Sequence, residues 1–170
     1  MPDFKDILFQ KEIHNLDIIP FKVADLLLEK KYTIAVAESV SGGEICSQLV
    51  KIPGASKFLL GGIVAYNNLF KVNECQVNPK TIIRYSPVSS QTTIEMAKGL
   101  VKKFQANVSI ATTGFAGPQQ DQEKVGLVYI ALIINSNEIV KNFLFTGDRK
   151  EIISQTTFAA LELTRYYLSI

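Results

Sequence analysis

The sequence is short of the residues on which much enzyme chemistry rests: one histidine, two cysteines and no tryptophan in 170 residues. The single histidine, His14, lies in a polar N-terminal stretch ahead of the first strand-like segment. A Ser-His-Asp or Cys-His arrangement would have to recruit it from there, and a histidine-based metal site has no second histidine to use. Cys46 and Cys75 lack the spacing of zinc or redox pairs and read as reduced thiols of a cytoplasmic protein. No apolar run approaches the roughly 20 residues that cross a bilayer. The start, Met1-Pro2-Asp3-Phe4-Lys5-Asp6, is unlike a signal peptide. Net charge is only +2, and no basic block with interleaved aromatics appears, which argues against nucleic acid as a partner. Any catalysis here needs a base other than imidazole.

What is present is the composition of a globular domain, 47% hydrophobic and 20% charged. Residues 1–17 read as an extension or short helix, and 18–170 as a single domain. Pro20 suits a first helical turn, and Phe21, Ala24, Leu27 and Leu28 give one apolar face. Thr33–Ala37 reads as a buried strand. A helix follows from Gly43 to about Lys51 with Ile45, Leu49 and Val50 inward, and Lys57–Leu60 reads as one more helical turn. Gly61–Tyr66 predicts a strand, Asn67–Cys75 a short helix, and Pro79–Pro87 an irregular connection.

Val88-Ser89 reads as staple and cap of a helix through Phe104, and Asn107–Thr113 as a strand. Leu127–Ile134 and Ile139–Phe145 predict a hairpin, and Asp148-x-x-Glu151 a capping box opening a long last helix. The alternation predicts a three-layer α/β/α sandwich with a mixed, mostly parallel sheet and an antiparallel hairpin edge. The hairpin edge and the last helix could each serve a homo-oligomer, with a dimer favoured.

Three strands run into polar, glycine-containing loops, and parallel neighbours would bring those loops to one crevice. After Ala37 come Glu38-Ser39-Val40-Ser41-Gly42-Gly43. A hydroxyl there meets the positive end of a helix and free N–H groups, which suits a nucleophile and an oxyanion; a plain cap by Ser39 or Ser41 is the competing reading. After the second strand, Tyr66 precedes Asn67-Asn68 and Lys71, a base only if desolvated, otherwise a surface lysine. The third loop, Thr112-Thr113-Gly114-Phe115-Ala116-Gly117-Pro118, offers hydroxyls and N–H groups as phosphate sites do, without being a Walker loop.

These segments, in order, resemble the CinA C-terminal domain family, whose stand-alone members are nicotinamide-nucleotide amidases. The resemblance runs through Ala37–Gly43, Ile52–Ser56, Gly62–Asn68 with Lys71, Val88-Ser89, Thr113–Pro118, Val125–Tyr129 and Gly147-Asp148-Arg149. It implies hydrolysis of the carboxamide of nicotinamide mononucleotide to nicotinate mononucleotide and ammonia, a step of pyridine nucleotide salvage. Ser39 falls on the family's serine, Lys71 on its base and Tyr66 on its active-site tyrosine, a possible relay between the two. The backbone around Ser41, Gly42 and Gly43 is expected to bind the oxyanion. Thr113, Gly114, Ala116, Gly117 and Arg149 are expected around the substrate phosphate, with Asn67 nearby and Glu38 orienting the loop. No metal or redox cofactor is implied. Larger family members carry a further N-terminal domain, which 170 residues are too few to hold.

The pattern departs from the family in places. Val40-Ser41 stands where Cys-Thr is usual, and Ser86-Pro87 replaces Gly-Ala. The Gln119–Lys124 stretch is shorter than usual and lacks the customary glycines. The alternatives are an inactive or regulatory nucleotide-binding module linked to competence or DNA damage, and an amidase for another small amide.

Overall fold

The computed structural model describes residues 17–118 and 124–170. The expected extension over residues 1–16, with His14, and the shortened loop at 119–123 lie outside the described residues. Among the described residues no helix is long and apolar enough to cross a membrane.

A five-stranded sheet forms the middle layer, ordered β2-β1-β3-β4-β5. The strands are β1 (Ile34–Glu38), β2 (Leu59–Val64), β3 (Val108–Gly114), β4 (Leu127–Ile134) and β5 (Asn137–Leu144). β1 pairs in parallel with both β2 and β3, while β4 pairs antiparallel with β3 and with β5. The mixed sheet with a hairpin edge is thus the observed architecture. β1, the central strand of the parallel trio, is buried at every residue, as expected of a strand covered on both faces.

The helices are α1 (Ile19–Lys30), α2 (Glu44–Val50), α3 (Asn68–Asn73), α4 (Pro79–Tyr85), α5 (Ser90–Phe104) and α6 (Arg149–Ser169). α1, α2 and α6 pack together on one face, with Ile34, Val36 and Ile110 turned toward them. α5, braced by α4, covers the other face against Ala35, Ala37, Ala111 and Ala131. Alternate strand residues therefore feed two cores, a large one of branched side chains and a smaller one built on alanines.

Several boundaries differ from the sequence reading. Residues 79–87 are not irregular throughout, because Asn78 caps the first turn through Lys80 and Pro79 opens α4. The turn expected at Lys57–Leu60 is a 3₁₀ turn at Ala55–Lys57, and Leu59 already belongs to β2. Val50, expected inward, is exposed, as are Phe21 and Leu28; α1 instead buries Ile19, Val23, Ala24 and Leu27. The β2 edge carries a bulge, since Ile34 faces Leu59 while Ala35 already faces Gly61. The capping box at α6 forms as expected, with Asp148 and Glu151 exchanging bonds with each other's backbone N–H.

Candidate active site

The carboxyl ends of β2, β1 and β3 lie side by side, so the three loops that leave them share one end of the sheet. Between them is a cleft of about 220 Å³ lined by Ser39, Val40, Tyr66, Asn68, Lys71, Pro87, Val88, Thr113, Gly114, Ala116 and Arg149.

Ser39 leaves β1 with its N–H bonded to the Thr112 carbonyl, 3.0 Å away. The next turn is tight. Gly42 and Gly43 take φ of +64° and +104°, values that side chains resist, and the chain doubles back over Glu38. The Glu38 carboxylate then accepts the N–H groups of Gly43 (2.9 Å), Ile45 (3.1 Å) and Cys46 (2.8 Å). A buried anion thus caps α2 and satisfies donors that helix starts leave orphaned. Ser41 is buried too, its Oγ 2.7 Å from Thr112 Oγ1, which locks the turn to β3.

Lys71 comes from α3. Asn67 caps that helix by accepting from Phe70 N–H, and the lysine turns inward beneath it. Only 2% of the residue is exposed. Its Nζ lies 2.8 Å from Ser39 Oγ and donates to the Ala65 carbonyl at 2.8 Å. Among the described residues no carboxylate contacts it, and burial lowers its pKa to about 8. A protonated Lys71 donates to Ser39 Oγ; a neutral one accepts the serine proton across the same distance. The thiols are poorer nucleophiles here, because burial pushes Cys46 up to about 12 and Cys75 to about 11.

Arg149 also lines the cleft and extends from the first turn of α6. Its guanidinium donates to the Gly117 carbonyl and, at 2.7 Å, to the Tyr66 hydroxyl. The Thr113 hydroxyl donates to the Pro87 carbonyl at 3.0 Å, fastening the Ser86–Ser89 connection to the cleft wall.

Some expectations change in detail. The Gly43 N–H is bonded to Glu38 and is not open to an oxyanion. The positive end of α2 is likewise occupied by that carboxylate, so it does not act directly on Ser39. Among the described residues the N–H groups of Val40, Ser41 and Gly42 have no acceptor. Glu38 itself does not face the cleft, because both its oxygens are engaged by backbone. Asn67 serves as a helix cap, and its neighbour Asn68 lines the cleft instead. In the third loop, Phe115 N–H is bonded to the Leu127 carbonyl, whereas those of Ala116 and Gly117 have no acceptor among the described residues. Tyr66 is not interposed between Ser39 and Lys71. The sequence reading names neither Pro87 nor Val88 as a lining residue; Val88 enters it as a helix staple and as part of the family resemblance. Among the described residues no cluster of three or more His, Cys, Asp or Glu side chains could hold a metal ion.

A model of the CinA C-terminal domain matches residues 17–168. The chain belongs to the CinA C-terminal domain family. A CinA-like protein of Dictyoglomus thermophilum is 42% identical over 145 residues, which is 84% of this chain and 35% of that protein. This CinA-family chain spans 35% to 40% of the length of curated relatives such as the putative competence-damage inducible proteins of Clostridioides difficile and Clostridium beijerinckii.

Among solved structures, the competence or damage-inducible protein from Enterobacter asburiae superposes with a TM-score of 0.88 at 28% identity, covering 91% of this chain and 98% of that one. The competence/damage inducible protein CihA from Agrobacterium tumefaciens gives 0.82 at 30% identity, covering 89% and 96%. The CinA domain fold therefore extends over nearly the whole of those proteins, whereas the longer relatives carry more chain besides.

Proposed function

We propose that this CinA domain hydrolyses the carboxamide of nicotinamide mononucleotide to nicotinate mononucleotide and ammonia, a step of pyridine nucleotide salvage. Ser39 is the nucleophile and Lys71 its base. One observation carries the chemistry: a buried amine with a pKa of about 8 stands 2.8 Å from a serine hydroxyl at the mouth of a cleft. The choice of substrate draws support from the family resemblance and from the arginine across the cleft.

Neutral Lys71 takes the Ser39 proton as Oγ attacks the amide carbon. Backbone N–H groups in the Val40–Gly42 turn receive the negative charge that forms on the amide oxygen. Lys71 then gives its proton to the departing nitrogen, the C–N bond breaks, and ammonia leaves an ester on Ser39. Water attacks the ester, losing its proton to Lys71, which returns one to Ser39 as the carboxylate is released. Imidazole is not needed, in keeping with a sequence whose one histidine lies far upstream of these motifs.

The test is ammonia release from nicotinamide mononucleotide, nicotinamide and glutamine, measured side by side on wild type and Ser39→Ala. The reading requires turnover of the mononucleotide that falls by ~10³ or more in the variant while the fold persists. Release from another amide alone would retain the chemistry and replace the substrate. No release from any of them would favour a binding module, and full activity in Ser39→Ala would remove the nucleophile.

A further inference from the structure

Tyr66 occupies a position where a proton relay would be expected, yet its bonding points elsewhere. Lys71 reaches Ser39 directly, so the serine proton has no gap to cross. The Tyr66 hydroxyl instead accepts from Arg149 at 2.7 Å, and the residue is 63% exposed where it lines the cleft. Arg149 is an exposed, flexible side chain that loses considerable rotamer freedom when fixed. Two acceptors fix it, the Tyr66 hydroxyl and the Gly117 carbonyl, which belong to the loops after β2 and β3. A guanidinium has about five N–H donors in a planar fork. Two are engaged here, and the remainder have no partner among the described residues.

The charge of the cleft points the same way. Among the described residues its lining holds no carboxylate, and Arg149 is the one guanidinium. A fork held at the rim of this cleft suits an anionic oxygen group on the ligand, recognised by paired hydrogen bonds.

We infer that Tyr66 is a positioning residue that holds Arg149 across the cleft mouth, so that the pair selects amide substrates bearing a phosphate group. Its kinetic consequence rests on the Ser39–Lys71 amidase reading; its binding consequence does not. The phenol acts through the arginine and takes no part in proton transfer. Substrates lacking the phosphate gain little from it.

The experiment compares wild type, Tyr66→Phe, Arg149→Ala and the double variant, first by titration with inorganic phosphate followed calorimetrically. Arg149→Ala is expected to weaken phosphate binding ~10-fold or more, and Tyr66→Phe by a smaller factor of ~5. In the double variant, loss of the phenol adds nothing to loss of the arginine. A wild type that does not bind phosphate overturns the inference, as does a Tyr66→Phe penalty of equal size in both backgrounds. The kinetic arm uses nicotinamide mononucleotide. There Tyr66→Phe is expected to raise KM by ~5-fold, with a smaller change in kcat and the same pH dependence. A collapse of kcat at unchanged KM would restore the relay role. If wild type turns over no mononucleotide, the choice of substrate fails, and the phosphate titration still decides the role of Tyr66.

Discussion

Lys71 Nζ and Ser39 Oγ stand 2.8 Å apart although 32 positions of sequence separate them. A base works only when unprotonated, and burial lowers this one to a pKa of about 8. The rate of amide release is therefore expected to climb with pH through about 8 and to level off above it. Lys71→Ala should lose that rising limb together with ~10²–10⁴ of the rate. A pH–rate profile of both proteins checks this, and a flat wild-type profile would contradict it.

The same burial makes stability depend on pH. The lysine titrates at 10.5 in an unfolded chain and about 8 in the folded one, so the unfolded chain holds the extra proton between those values. Stability thus rises with pH across that window. Below it the cost of burying the cation is fully present, and above it that cost is gone. Against Lys71→Met, wild type should gain up to ~1.4 kcal/mol per pH unit within the window. Urea unfolding of both proteins near its two ends gives the comparison; a difference that does not move with pH would rule the shift out.

Glu38 sits beside the nucleophile but faces the backbone. Glu38→Gln removes the charge and places an NH₂ group where an acceptor is needed for one or more of three N–H groups. We expect a loss of ~2–4 kcal/mol in stability, from an unsatisfied buried donor and a weakened helix cap. Activity should fall with it, since the turn carrying Ser39 is held by those bonds. Chemical denaturation and the ammonia assay together read both effects.

Gly99 supports the base from a distance. A Cβ there would overlap the carbonyl oxygen of Cys75, four residues past Lys71, where α5 passes close beneath the segment that follows α3. Gly99→Ala must push backbone against backbone. The expected cost is ~1–3 kcal/mol, with a lower rate as Lys71 is displaced from Ser39. Thermal unfolding and kcat measured on the same preparation test the link; a stable, fully active variant would break it.

Much of this architecture is legible in the sequence because local signals agree with the packing. The Asp148-x-x-Glu151 box, the apolar run before Glu38 and the hairpin around Asn135 each carry their own period or cap. Pro79–Tyr85 is a helix where the sequence reading has an irregular connection, although its Asn78-Pro79 start is a local helix signal. In the cleft, periodicity alone leaves Lys71 as readily a surface lysine; the ordered motifs of the family resemblance singled it out. What no local pattern carries is the long-range bonding. Tyr66 and Arg149 lie 83 residues apart, and their contact exists only once α6 docks. The occupation of Gly43 N–H depended on two left-handed glycines folding the turn back on Glu38, a geometry that the residue types permit without dictating.

The bulge in β2 has a further effect. This strand is an outer edge of the sheet, apolar over Leu59-Leu60 and Ile63-Val64, with Leu60 and Val64 open to solvent. A straight edge of that kind invites another chain to add a strand and seeds fibrils. The irregular register beside Leu60 and the φ of +142° at Gly61 bend the ladder out of line. An incoming strand would find its hydrogen-bond partners out of step, which guards the chain against aggregation along this edge.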